Sequence, residues 1–226
     1  MKPSGTYAYS FPPVTHANDD GLLAVGGDLR PERLIAAYES GIFPWYNEGQ
    51  PILWWAPPER MILFPYNFRL TKSLAQSIRN RGYQTSFDTA FEQVIEHCQK
   101  TERPGQNGTW ITQEMKNAYI ELHRFGYAHS VEVWQGPQLV GGLYGVSLGK
   151  AFFGESMFSL ERDASKVALH ALNERITRLD FHFIDCQLHT DHLASLGAQL
   201  IPRDEFMELL KLALDHPDHR GNWRTI

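Results

Sequence analysis

Polar and apolar positions recur along this chain with two periods, one helical and one alternating, and the switches between them mark out its elements. In GGDLRPERLIAAYESG the spacing predicts a helix with Pro31 near its first turn and a stop at Gly41; Leu34, Ile35 and Tyr38 form its apolar face. The next stretch, GIFPWYNEGQPILWWAPPERMILFP, is dense in proline, glycine and aromatic residues. No long helix passes through such a segment, and a strand, MILF, is expected after Pro58. Residues 71–81 read as a helix with Leu70, Leu74 and Ile78 on one side. Residues 88–99 read as another, with Asp88 as its cap and Phe91, Val94, Ile95 and Cys98 at helical spacing. RPGQNGTW reads as a loop, after which Thr112 opens a helix carrying Met115, Tyr119 and Leu122. SVEVW, QLVGGLYGVSLG and KAFFGESMF read as antiparallel strands joined by glycine-rich turns. There follow a helix with Leu169, Leu172, Ile176 and Leu179, the strand FHFIDC, a short helix, the strand AQLI and a last helix with Phe206, Leu209, Leu210 and Leu214.

The expected class is therefore mixed α/β. A small, loop-rich N-terminal domain (1–60) should precede a catalytic domain (61–226) built on a mixed, largely antiparallel sheet. The later element order is that of GNAT-type acyltransferase folds, an analogy at the level of fold alone. A chain of 226 residues can bury a sizeable core, and 42% hydrophobic with 21% charged residues is ordinary for a soluble globular protein. No apolar run approaches the ~20 residues a membrane helix requires, and the N-terminus lacks the apolar core of a secretory signal. Cys98 and Cys186 make no disulfide framework, which fits a reducing cytoplasm. A formal charge of −5 argues against non-specific coating of DNA but leaves room for a local basic stripe. With no exposed apolar helix evident, a monomer is expected.

The stretch FIDCQLHTDH concentrates the chemistry-bearing residues. It poses three alternatives: a metal site, a thiol nucleophile with its base, or a centre that needs neither. His189 and His192 are spaced like a metal pair on a helix, but no third ligand pattern accompanies them, so capping or polar packing is the simpler reading. Cys186 alternates with its neighbours and is expected to face away from them as a small apolar group. Residues two apart on a strand share a side, so Asp185 and Gln187 can point into one cleft, or can simply satisfy loop backbone at the strand end.

The stretches NDDGLLAVGGDLRPERLIAAYESGIFPWY, PILWWAPPERMIL, GTWIT, HSVEVW, LVGGLYGVSLGKAFFGESMFS, ASKVAL, IDCQL and DHLASLGA, in this order over nearly the whole chain, resemble the leucyl/phenylalanyl-tRNA–protein transferase family. The resemblance implies an enzyme that moves Leu or Phe, with Met a further possible cargo, from aminoacyl-tRNA to the α-amine of proteins with N-terminal Arg or Lys, and so tags them for degradation. It implies Asp185 and Gln187 at the reaction centre, with no cofactor and no metal. It implies an aminoacyl pocket at Leu143, Phe152, Met157, Leu169, Leu172, Ile176 and Ile184; the family pattern has phenylalanine where Leu172 and Ile176 stand here. Trp45 and Trp110 would hold the 3′-terminal adenosine, a stacking that ignores tRNA sequence. Glu155 would hold the acceptor or the ribose, and Tyr119 would lie near the site. Lys72, Arg79 and Arg81, with Arg69 close by, would meet phosphates of the acceptor stem. Trp54 and Trp55 are expected to pack the two domains together.

Two rivals remain open. An acetyl-CoA-dependent N-acetyltransferase would need a glycine-containing pyrophosphate loop, where this chain reads SLERDASKVAL. A non-catalytic tRNA-binding module would tolerate the loss of Asp185 and Gln187.

Overall fold

The computed structural model describes residues 9–101 and 110–224. In chain order its elements are β1 (Leu22–Val25), α1 (Pro31–Glu39), β2 (Phe43–Pro44), β3 (Leu53–Trp55), β4 (Glu59–Leu63), α2 (Lys72–Asn80), β5 (Tyr83–Phe87), α3 (Phe91–Lys100) and α4 (Gln113–Arg124). They continue with β6 (Ala128–Gln135), β7 (Gln138–Leu148), β8 (Ala151–Ser159), α5 (Ala164–Arg178), β9 (Phe183–Gln187), α6 (Asp191–Ser195), β10 (Gln199–Pro202) and α7 (Arg203–Leu214). No helix among the described residues is long and apolar enough to cross a membrane.

Local chemistry explains most of these boundaries. Pro31 occupies the first turn of α1, where its missing N–H costs nothing. The hydroxyls of Thr71, Thr112 and Thr190 accept from the N–H three residues on and cap α2, α4 and α6. Asp88 does not cap α3 as expected: its backbone is left-handed and its carboxylate is taken up elsewhere. Leu70, expected on the apolar side of α2, is exposed, because that helix starts after it and buries Leu74 instead. Most of the RPGQNGTW loop lies outside the described residues; Trp110 at its end is within them.

Strands β1, β3 and β2 form a small antiparallel sheet; the seven-stranded sheet has the order β10–β4–β9–β8–β7–β6–β5. Among the described strands only β8 and β9 are parallel, so the mixed, largely antiparallel sheet expected from sequence is present. The apolar core does not stop at the boundary between the sheets. Leu34, Tyr38 and Trp54 belong to the same buried cluster as Tyr119, Tyr144 and Phe153. A second cluster gathers the inner face of α5 against β4, β7, β8 and β9.

One irregularity opens the sheet. Strands β8 and β9 pair only over Ala151–Phe153 with Phe183–Asp185. Beyond that point β8 runs on to Ser159 alongside β7, while β9 ends at Gln187. Residues of both strands beyond that point line a cavity.

Candidate active site

The cavity holds about 700 Å³. One wall is apolar: Leu143, Phe152, Met157, Leu169, Leu172 and Ile184 all line it. Glycine at 145 makes room for this wall, since a Cβ there would collide with the Phe153 carbonyl oxygen and with the Phe152 ring. Ile176, expected with these residues, is not on the wall; it is wholly buried in the core behind it. Its stripe on α5 continues past the end of the cavity, and an unbroken apolar stripe gives no signal of where that end falls.

Trp45 and Trp110 also line the cavity, as do His189, just before α6, and His192, in its first turn. Trp45 is tilted against Trp55, whose indole N–H donates to the Trp45 carbonyl at 2.7 Å. Trp54 packs against Phe11 and donates to Gly26, contacts that lie within the N-terminal region. Among the described residues no group of three or more His, Cys, Asp or Glu is placed to hold a metal ion.

At the inner end lies a polar cluster. Glu155 on β8 is buried and accepts from the Tyr38 hydroxyl at 2.7 Å, the Tyr119 hydroxyl at 2.9 Å and Gln187 Nε2 at 2.7 Å. The two tyrosine hydroxyls also lie in contact with each other, and because each carries a single proton the two protons are shared among these three oxygen contacts. Burial drives the Glu155 carboxyl up to about 7, against the pull of its three donors and with help from the negative charge of Asp185. Burial likewise pushes Tyr38 and Tyr119 well above their ordinary range, so both remain hydroxyl donors. When ionised, Glu155 fixes the orientation of the Gln187 amide: nitrogen toward Glu155, with Oε1 left as the side chain's acceptor.

Asp185 sits behind this cluster and does not line the cavity. It forms a two-pronged ion pair with buried Arg60, Nε to Oδ1 at 2.9 Å and Nη2 to Oδ2 at 2.7 Å, and its Oδ1 accepts from the Gln187 backbone N–H at 2.8 Å. The expectation that Asp185 and Gln187 share a strand face is corrected here. Strand alternation holds through Cys186, so Ile184 and Cys186 face the cavity and Asp185 faces away. Gln187 then takes φ 63°, which breaks the alternation and swings its side chain back to the cavity side. Cys186 therefore lines the cavity rather than facing away from it; burial raises its thiol far above the ordinary range, so it stays a neutral thiol and no nucleophile.

Tyr38 and Arg60 are the members of this cluster that sequence reasoning missed. Tyr38 looked like one more apolar residue of α1, although a buried tyrosine needs a partner for its hydroxyl. Arg60 leads directly into the apolar run MIL, and a charged group fully buried there requires a buried partner. Of the basic residues, Lys72, Arg79 and Arg69 are exposed on or beside α2. Arg81 lies 3.7 Å from Glu161. None of them lines the cavity.

Residues 62–211 match the family described as leucyl/phenylalanyl-tRNA protein transferase, and residues 27–58 match the N-terminal domain of the same family. The chain belongs to the leucyl/phenylalanyl-tRNA–protein transferase family. Curated relatives named leucyl/phenylalanyl-tRNA–protein transferase agree. That of Syntrophus aciditrophicus is 56% identical over 95% of this chain and 90% of its own. That of Myxococcus xanthus is 54% identical over 94% and 91%, and that of Legionella pneumophila (strain Corby) 52% over 95% and 96%. Two solved structures match at lower identity. An aminoglycoside acetyltransferase from an uncultured soil metagenomic sample matches at TM-score 0.38 with 16% identity, covering 51% of this chain and 84% of that one. The L-PGS structure from Bacillus licheniformis matches at 0.40 with 11% identity, covering 73% and 55%. At those values the likeness carries no argument about this site.

Proposed function

We propose that this transferase moves leucine or phenylalanine from aminoacyl-tRNA to the α-amine of proteins beginning with Arg or Lys, in the cytoplasm, and so marks them for degradation. The observation that carries the reading is the Gln187–Glu155 contact at the inner end of an apolar cavity. An aminoacyl ester is already activated, so the reaction needs its ester and amine held together more than it needs a protein nucleophile. An α-amine has pKa about 7.7–8.0, so a useful fraction is neutral near pH 7, whereas a lysine side chain is almost wholly protonated.

The amine attacks the ester carbonyl, the C–N bond forms, and the C–O bond to the ribose breaks. The proton shed by nitrogen ends on the departing ribose oxygen. Gln187 Oε1 accepts a hydrogen bond from the attacking amine and steers its lone pair at the carbonyl. Glu155 holds the Gln187 amide in that orientation, and Tyr38 and Tyr119 hold Glu155. With its oxygens taken by Arg60 and the Gln187 N–H, Asp185 orients the centre and is no base.

The apolar wall fits a leucine or phenylalanine side chain. Leu172 leaves more room than a phenylalanine there, and one methylene in such a pocket is worth only about 1–3 kcal/mol, which supports the admission of methionine. Trp45 and Trp110 would take the terminal adenosine, and Lys72, Arg79 and Arg81 the acceptor-stem phosphates. The acetyltransferase alternative fits less well. The N-terminus of α5 carries the Asp163 carboxylate, bonded to Ser77 and Lys166, and no glycine loop to wrap a pyrophosphate.

The test is incubation with leucyl-tRNA and a peptide beginning with Arg, beside the same peptide N-acetylated. Leucine should appear on the first and not on the second; transfer to neither, or equally to both, would refute the reading.

A further inference from the structure

We infer that Arg60 is a positioning residue for this reaction: one guanidinium fixes both the backbone that aims Gln187 and the segment that carries Trp45. The inference rests on the proposed role of Gln187.

Arg60 is a fully buried arginine on β4, and nothing in its own strand calls for a charge there. Every face of its guanidinium is used. The edge formed by Nε and Nη2 meets Asp185 in the planar fork that arginine makes with a carboxylate. Nη1 donates to the Gly41 carbonyl at 3.2 Å. The flat faces lie over the rings of Phe43, at 4.6 Å, and Phe206, at 4.7 Å. The group thus joins three separate parts of the chain: the segment from Gly41 to Phe43, β9 and α7.

Two of those contacts lead to the cavity. Through Asp185 the guanidinium reaches the Gln187 N–H, which Asp185 Oδ1 accepts at 2.8 Å. That bond closes a local turn at the end of β9 and holds Gln187 at φ 63°, a backbone state that a non-glycine residue adopts at a cost. Were Asp185 free to rotate, Gln187 would relax toward extended backbone, and the strand period would then turn its side chain to the Asp185 face, away from Glu155. Through Gly41 and Phe43 the same guanidinium anchors residues 41–45, and Pro44 and Trp45 of that segment line the cavity. The register of β4 brings the two ends together, since Met61 lies opposite Gln187 and Ile62 opposite Asp185. Only an arginine meets all of this; a lysine would keep the charge and lose the fork and the flat faces.

The experiment compares Arg60→Lys, the charge-free pair Arg60→Met with Asp185→Asn, and Gln187→Ala with the wild type. The amide that Asp185→Asn introduces in the pair still offers an oxygen to the Gln187 N–H but is no longer pinned from behind. Initial rates of leucine transfer are measured per folded molecule, at saturating Arg-peptide and with varied leucyl-tRNA, together with amide exchange at Gln187. Arg60→Lys and the pair should each lower kcat at least tenfold, raise KM for leucyl-tRNA and speed exchange of the Gln187 N–H. Wild-type kcat in either, or a loss that matches only the fraction unfolded, would overturn the role of Arg60. If Gln187→Ala is inactive while Arg60→Lys is normal, this inference alone fails. If Gln187→Ala is itself normal, the reaction centre of the proposed function fails with it.

Discussion

Two buried carboxylate networks brace the large sheet, and they do different work. Near its β5 edge, Asp88 accepts from the N–H groups of Ser130 and Trp223 and from His129 Nδ1, while Glu132 accepts from the hydroxyls of Ser86, Thr89 and Ser130. Past the paired part of β8 and β9, Glu155 accepts from two tyrosines and from Gln187. Burial pushes both Asp88 and Glu155 upward. The Asp88 donors, His129 and two backbone N–H groups, more than reverse that push, and its carboxyl ends below its ordinary value. Those of Glu155 do not, and it ends near 7. The first network leads back to backbone, with His129 Nε2 buried and unpartnered among the described residues, and it seats the C-terminal segment, with Trp223 stacked on His129 at a 4.0 Å ring separation. The second ends in a side chain whose acceptor oxygen takes no bond from the described residues, on the wall of a cavity. A buried acid marks a site where its network leads outward to a space, and marks architecture where it leads back to backbone.

The contrast can be broken from either side. Asp88→Ala leaves three buried donors unpaired and should lower stability by about 3–5 kcal/mol in chemical denaturation, with kcat per folded molecule unchanged. A large fall in kcat at full folding would erase the distinction. Because its folded pKa is depressed, Asp88 confers its stability above the ordinary carboxylate range, and that share is lost as pH falls through the folded value. Acid unfolding of the Ala variant should therefore be shallower than that of the wild type.

Glu155→Gln should act in the opposite direction. A carboxyl raised to about 7 binds its proton more tightly folded than unfolded, so wild-type stability falls as pH rises from the ordinary glutamate range to about 7 and then levels. The variant should remove that decline and be more stable at pH 8 by on the order of 1–3 kcal/mol. Its kcat should be lower, without the inflection near 7 expected for the wild type. Trp110→Ala should raise KM for leucyl-tRNA by an amount worth about 1–3 kcal/mol and leave kcat nearly constant. The smallest effect belongs to the exposed helix: Lys72→Ala should reduce the slope of log affinity for tRNA against log salt by about 1, with transfer at low salt almost normal.

What the sequence disclosed and what it hid divide along the distance over which residues act. The capping of α4 by Thr112, the proline start of α1 and the run of antiparallel strands β6 to β8 are set by neighbours within a few positions, and all were legible. The small sheet of β1 to β3 was not, since short strands interrupted by proline and glycine lack a period. Neither was β5, whose pattern is mostly polar at an edge. Resemblance of motifs pointed to Asp185, Gln187, Glu155 and Tyr119. The arrangement among them depends on pairings that span the chain: Arg60 reaches Asp185 only because β4 is inserted beside β9, and Tyr38 reaches Glu155 only because α1 packs against α4. The left-handed turn at Gln187 and the end of the cavity short of Ile176 are likewise products of packing, invisible in a period of two or of 3.6.

The most direct test of the central claim is single-turnover transfer from leucyl-tRNA to an Arg-peptide by Gln187→Ala, with thermal unfolding and tRNA affinity measured on the same preparation. The account predicts a rate at least about 100-fold below wild type, with folding and tRNA binding intact. A wild-type rate in that variant would contradict it.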